Sequence, residues 1–368
     1  MSSASPSGWS ILGAISRFRA PPRGMLFGSL GNQRSAEYAL SGEQERVARE
    51  RIEPTLTRLN QQRQSWFDTT EQQLRLKMGG AAAAGLVLGW LFMGSLAIGL
   101  ALMVGGAFFA FLMLSAKADD TARAETKHAI VQAMAGDILG LTSVAPDERG
   151  NALPKSLVDE WCLLPPIRVI TVDDRLVGEK DGCRVALSRV GFQFGGSSNV
   201  QLKQSDGLVF VVVEITEPGT HEPSSDEITV VLGTDAPAML RSSPRVSHGL
   251  MEVKTGNDAF DALYTVFGDP SLLTPQVCAG FGALEAVTRC DRTGTREVLA
   301  GTGLRPAVVI RPGHLVVLTP VALFDGALEP PPFWKILDFE ALIPAFASDL
   351  AILKDHLTAA MTLRGKLS

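Results

Sequence analysis

Charge is missing from one long stretch of this chain. Residues 78 to 116 form a run of 39 without Asp, Glu, Lys, Arg or His, flanked by Lys77 and Lys117. An ion or proton route through a bilayer needs such groups, so a transporter or channel is not expected. Cysteine is scarce as well. Cys162, Cys183, Cys278 and Cys290 stand far apart with no C-x-x-C pair, which leaves free, buried thiols in a reducing compartment as the expectation. The N-terminus has no basic n-region followed by a sustained apolar core, so no secretory signal is expected. After Lys127 no cluster of Lys and Arg interleaved with aromatics occurs. Residues 79 to 368 carry 23 basic against 32 acidic side chains, net −9, so nucleic acid is not an expected partner.

Motifs of common chemistry are absent too. There is no G-x-x-x-x-G-K-[ST] phosphate loop, no G-x-G-x-x-G, no G-x-S-x-G elbow and no H-E-x-x-H. Gly301-Thr302-Gly303 lacks a third glycine and a following helix and reads as a turn. His128, His221, His248, His314 and His356 are scattered singly. No catalytic residue, metal ligand or cofactor site is expected.

What is present begins with the uncharged run itself. As one helix it would be about 58 Å long at about 1.5 Å per residue, nearly twice the hydrocarbon thickness of about 30 Å. It is therefore expected to turn near Met93-Gly94-Ser95 into a transmembrane hairpin over 78–116. Arg63, Arg75 and Lys77 before it balance Lys117, Arg123 and Lys127 after it. That symmetry favours both flanks, and both termini, in the cytoplasm. Small residues recur every four positions at Ala81, Gly85, Gly89 and at Ala97, Ala101, Gly105, which would let the arms approach closely; glycine and alanine are also simply common in membrane helices.

Around the run, 1–40 is rich in Ser, Gly and Pro and reads as a disordered or interfacial segment. Trp9, Leu12, Ile15 and Phe18, followed by Arg19 and Arg23, would suit a headgroup layer. Residues 41–77 form a helical arm with Glu43, Glu45, Arg46, Arg49, Glu50 and Glu53 at pairing distance and a break at Pro54. Residues 117–142 continue as a juxtamembrane helix with Ile130, Met134 and Ile138 on one face. Residues 143–368 change character. The runs at 167–172, 185–194, 208–215 and 228–232 are β-branched or aromatic between Gly, Pro and Asp, as strands are. In the second run the apolar phase shifts between Leu187 and Val190, which predicts a bulge near Ser188-Arg189. Thr274-Pro275 starts a helix that buries Val277, Phe281 and Leu284. Arg311-Pro312-Gly313-His314 turns a hairpin, and a last helix runs from about Pro344 to Leu363. The fold class is α+β with a mainly antiparallel sheet and packed helices.

A few groups invite chemistry. Asp173-Asp174 with Glu179 and Asp181 could gather carboxylates, although solvated turn positions explain them more simply. Asp173, Asp181 and His314 would form an enzyme's site only if the fold converged them. Cys183 lies near Lys180 and Arg184, but its strand position points to a packed core thiol. Glu329 to Trp334 (EPPPFW) would offer a polyproline face or act as a rigid connector.

The basic arm, the short glycine-rich double span, and the motifs Phe260 to Pro270 (FDALYTVFGDP), Leu273-Thr274-Pro275, Val308-Val309-Ile310 and Gly313-His314-Leu315 together resemble a bacterial family. That family is known only by a domain-of-unknown-function label; its members are membrane-anchored and often encoded beside a LemA-type protein. The resemblance spans roughly 63–357 and transfers no catalytic residue; the long segment 1–40 departs from it. It implies a bacterial inner-membrane protein whose cytosolic domain engages the lipid bilayer's surroundings and a protein partner, with a homo-oligomer as a further option. The alternatives are a membrane-tethered enzyme and a lipid-sensing or membrane-shaping protein.

Overall fold

The structure is a computed structural model that describes residues 42–93, 96–145, 148, 153–194, 208–219, 227–236, 238–289, 305–320, 330 and 337–367. The segment 1–40 with Trp9 to Arg23, Cys290 and, apart from Pro330, the stretch 329–334 lie outside these residues. The chain divides into two compact units: one comprises Leu40–Ile130 and Leu328–Pro344, the other Val131–Ala327 and Ala345–Ser368.

The first unit is built on two long helices, α1 (Gly42–Met93) and α2 (Leu96–Leu139, which continues into the second unit). α1 ends at Met93 and α2 begins at Leu96, and the predicted turn itself lies outside the described residues. α1 runs unbroken through Pro54, contrary to the expected break. Ile52, Leu56 and Leu59 are buried on either side of the proline, so packing holds the helix where one hydrogen bond is lost. Arg46 pairs with Glu50 at 3.2 Å on the outer surface and Arg75 with the buried Glu71 at 2.7 Å, both at i,i+4 spacing. Asn60 clamps the returning segment by donating to the Leu337 carbonyl at 3.0 Å and accepting from its N–H at 2.8 Å. The Arg49 guanidinium lies over the Phe339 ring, 4.4 Å from its centroid.

Among the described residues no helix is long and apolar enough to cross a membrane. The predicted transmembrane hairpin is thus met as a helical hairpin only. α1 ends at Met93, so it holds residues 78 to 93 of the uncharged run, about 24 Å at about 1.5 Å per residue.

The second unit is a sheet covered on both faces. Its strands are β1 (Thr142–Ser143), β2 (Ile167–Lys180), β3 (Cys183–Phe194), β4 (Leu208–Thr216), β5 (Thr229–Gly233), β6 (Glu252–Val253), β7 (Tyr264–Gly268), β8 (Ala307–Arg311) and β9 (His314–Pro320). They lie in the order β1-β2-β3-β4-β9-β8-β5-β7-β6, and every described pairing is antiparallel. Four more helices belong to this unit: α3 (Lys155–Glu160), α4 (Ala238–His248), α5 (Asp258–Asp261) and α6 (Pro275–Arg289). The last helix, α7 (Phe339–Arg364), starts in the first unit and runs on into the second. It begins before the predicted Pro344, and Leu342 N–H bonds the Asp338 carbonyl in its first turn.

Both faces of β4 are buried, because Phe210 and Val212 point one way and Val211 and Val213 the other. The first face joins Val190, Phe192, Val230, Val309 and Val316 to Trp161, Leu163 and Leu164 after α3 and to Leu240 of α4. On the second face, Phe281 of α6 meets the rings of Tyr264 and Phe260 edge-on, with centroids 5.0 and 5.1 Å apart. Gly280 lets α6 close against Leu363 of α7, whose Cδ1 lies 2.9 Å from where a Cβ would stand. Thr274 Oγ1 caps α6 by accepting from Val277 N–H at 3.3 Å, as the sequence predicts.

The predicted bulge lies on the neighbouring strand. β3 pairs with β4 in unbroken register from Arg184 to Phe192, whereas β2 skips Asp173 between the pairs Val172–Val190 and Asp174–Arg189. The phase shift in β3 has a different cause: Val185 and Leu187 serve one buried face, and Val190 and Phe192 the other.

Candidate functional site

In the first unit the helical hairpin is the distinctive surface. A Cβ on Gly85 would stand 2.7 Å from the Leu102 carbonyl carbon and from Met103 N, and one on Gly106 would stand 3.5 Å from the Ala81 carbonyl oxygen. Gln62 donates to Glu125 at 3.1 Å further along. All three contacts are symmetric about positions 93 and 94, as antiparallel helices turning there require. Ala81 and Gly85 of the predicted small-residue stripe do form the seam. On α2 the seam runs through Leu102, Met103 and Gly106, while Gly105 meets only open space. Outside the seam, large apolar side chains face outward, with Trp90 at 65%, Leu91 at 64% and Val104 at 64% exposure. Val87, Leu88, Ile98 and Leu100 are exposed as well. No charged side chain interrupts this surface between Lys77 and Lys117.

In the second unit the predicted carboxylates do not converge. Asp174 is buried in β2 and faces Arg189 at 3.5 Å. Asp181 and Gly182 make the two-residue β2–β3 turn with φ of 50° and 75°, the left-handed geometry an Asp-Gly hairpin demands. Glu179 is exposed on β2, and the Asp173 side chain lies outside the described residues. His314 pairs through Thr216 with the Arg184 row of the sheet, five residues along β3 from the Asp174–Arg189 row. Among the described residues no group of three or more His, Cys, Asp or Glu is placed to hold a metal.

Three polar arrangements stand out in the second unit, and of their residues only His314 was a site candidate in the sequence. Arg175 bridges Ser188 Oγ at 2.9 Å and Glu214 Oε1 at 2.8 Å inside the sheet. Burial raises the Glu214 carboxyl above its ordinary pKa, and Arg175 opposes the shift. Around the β8–β9 turn, where Gly313 takes φ 69°, Thr216 Oγ1 lies 3.0 Å from His314 Nδ1. Burial and the neighbouring Arg311 charge lower the His314 imidazole to about 4. Arg311 itself donates to the Glu160 carbonyl and to the Cys162 thiol, whose pKa is raised by burial against the pull of that guanidinium. Beside the turn is a cavity of about 180 Å³ lined by Ile215, Ile310, Leu315, Leu272 and Leu367, with the Arg364–Glu217 ion pair at 2.7 Å in its wall. That volume is below the ~300–1,000 Å³ usual for ligand pockets.

The third joins Tyr264, whose hydroxyl donates to Glu285 at 2.7 Å, to Arg305, which reaches Glu285 at 3.4 Å and Asp235 at 2.6 Å. Burial first, and then Glu285, raise the Tyr264 pKa. The only hint of it in the sequence is Tyr264 in alternation with Val266 on β7. Cys183 and Cys278 are buried free thiols and Cys162 is half-buried.

The arrangement of the second unit is that of a stably cross-braced sheet, while the first unit carries an exposed apolar surface. No family model, curated protein or solved structure matches the chain.

Proposed function

We propose that this is an integral protein of the bacterial inner membrane, held by the 78–116 hairpin with both termini in the cytoplasm, and that its sheet unit binds another protein without catalysing a reaction. The exposure of Trp90, Leu91 and Val104 on a closely seamed pair of helices carries this reading. In water that surface is costly at about 25 cal/mol per Å², whereas hydrocarbon accepts it. The residues 78 to 93 are short for a full crossing on their own, so the hairpin enters from one leaflet and its uncharged turn reaches toward the other.

The partner reading follows from the resemblance to the double-span family and from the roles of the polar residues. Arg175 is engaged with Glu214, and separately Tyr264 and Arg305 with Glu285. Crosslinking in intact membranes, followed by identification of what co-purifies, tests it. A stoichiometric companion protein is the expected result, and recovery of this chain alone overturns the partner reading in favour of self-assembly. An epitope tag at residue 1 or 368 that is reached from outside intact cells overturns the topology.

A further inference from the structure

On the outer face of α4 and the turn after it, two strongly exposed apolar side chains stand near cations for which no ion pair is found among the described residues. Leu240, Ser243 and Pro244 turn inward, and Arg241, Arg245 and Val246 face out. Gly249, at φ 69°, ends the helix with its N–H on the Arg245 carbonyl, and Leu250 N–H bonds the Pro244 carbonyl. The His248 ring lies 3.1 Å from the Leu164 carbonyl, and Leu250 packs on the core, so this face is held rigid. Val246 and Met251, by contrast, are each 73% exposed, the highest values among the large apolar side chains of the described residues. Lys254 is exposed just beyond them.

Single exposed apolar residues are ordinary. Here they coincide with Arg241, Arg245 and Lys254, in a part of the chain whose net charge is −9. Glu252 and Asp258 are the acidic residues nearby in sequence, and both are exposed. Exposed apolar side chains accompanied by exposed guanidinium and ammonium groups on the same helix and following turn match an anionic headgroup layer, where the cations meet phosphate and the apolar tips enter the acyl boundary.

We propose that the Arg241–Arg245–Val246–Met251–Lys254 face is a second, peripheral membrane contact that docks on anionic lipid. This rests on the membrane reading above, because a tethered domain meets the lipid surface at high effective concentration and a weak contact then suffices. The face is small, so it orients the domain rather than anchoring the chain.

The test uses the full chain reconstituted in vesicles of phosphatidylcholine, with or without phosphatidylglycerol, and carrying an environment-sensitive fluorescent amino acid in place of Val246. Flotation reports the anchor; quenching of the probe by lipid-borne nitroxides reports the docking face. The expected result is flotation with both vesicles, and quenching with the anionic vesicle that weakens about tenfold in the neutral vesicle and in R241E/R245E. A probe that remains water-exposed in both vesicles while the protein floats overturns the docking face and leaves the anchor standing. Quenching that is equal in neutral lipid or unchanged by charge reversal also overturns it. Failure to float overturns the anchor itself and this inference with it.

Discussion

Gly85 and Leu102 touch backbone to backbone: a Cβ on Gly85 would stand 2.7 Å from the Leu102 carbonyl carbon. This contact sets the spacing of the hairpin, and Ala81 sits one helical turn away against Gly106 on the same seam. The Ala81 Cβ lies 3.8 Å from where a Cβ on Gly106 would stand, the separation a disulfide requires. The double variant A81C/G106C should therefore crosslink readily on oxidation. Adding G85L should abolish the crosslink by forcing the helices apart, whereas G79L, at a position with open space around it, should leave it intact. Equal crosslinking with and without G85L contradicts the seam.

Acid should weaken the second unit through His314. Its folded-state pKa is about 4, against about 6.5 in an unfolded chain. Above about pH 6.5 both states are neutral and the site costs nothing. As the pH falls from about 6.5 to about 4 the unfolded chain takes up the proton and the folded one does not, so stability declines by on the order of 3 kcal/mol. Glu214 acts in the opposite sense, since its raised pKa makes the folded state gain on acidification. The readout is therefore a difference. H314Q, which keeps a partner for Thr216, should lose less thermal stability than the parent between pH 6.5 and 4, and parallel pH curves contradict the assignment.

Removing the Tyr264 hydroxyl should cost about 1.5–3 kcal/mol, the usual worth of a hydrogen bond to a charged group. Y264F keeps the ring against Phe281 and leaves Glu285 with Arg305. Denaturant unfolding of the full chain in nanodiscs should show the loss with an unchanged m-value. A loss below about 0.5 kcal/mol contradicts the network's role in bracing β7.

Gly268 should tolerate no side chain. It takes φ 85°, and a Cβ there would stand 2.1 Å from the Ile228 carbonyl oxygen. G268A combines left-handed strain of about 1–3 kcal/mol with a backbone clash that must move β5 from β7. Loss of cooperative unfolding, or of accumulation in the membrane fraction, is the expected outcome. Near-normal stability contradicts the register of that pair.

At the same position the sequence offered a motif but not the strand β7 that carries it. In the motif from Phe260 to Pro270, Phe260 packs on Tyr264, Gly268 supplies the positive φ, and Asp269 accepts from Ser271 N–H at 2.9 Å at the head of a short 3-10 turn. Such local needs leave a local signature, as do the Asp181-Gly182 and Pro312-Gly313 turns and the Thr274 cap. The two-sided burial of the sheet was legible in the all-apolar run 208–213, now β4, but not in β3, where Val185, Leu187, Val190 and Phe192 read as a broken alternation until a second covered face accounts for them. Pro54 misled for a similar reason: propensity sees the lost hydrogen bond but not the buried Ile52, Leu56 and Leu59. Arg175–Glu214 joins strands separated by another strand, Tyr264–Glu285 joins a strand to a helix, and Arg49–Phe339 links residues hundreds apart in the chain. No local pattern encodes such pairs.

The most direct measurement of the central claim is alkaline carbonate extraction of membranes from cells producing the full-length chain, followed by flotation of what remains bound. The protein should stay in the floating membrane fraction after extraction and enter solution only with detergent. Recovery of a monodisperse protein in the carbonate supernatant, soluble without detergent, would contradict an apolar hairpin seated in the bilayer.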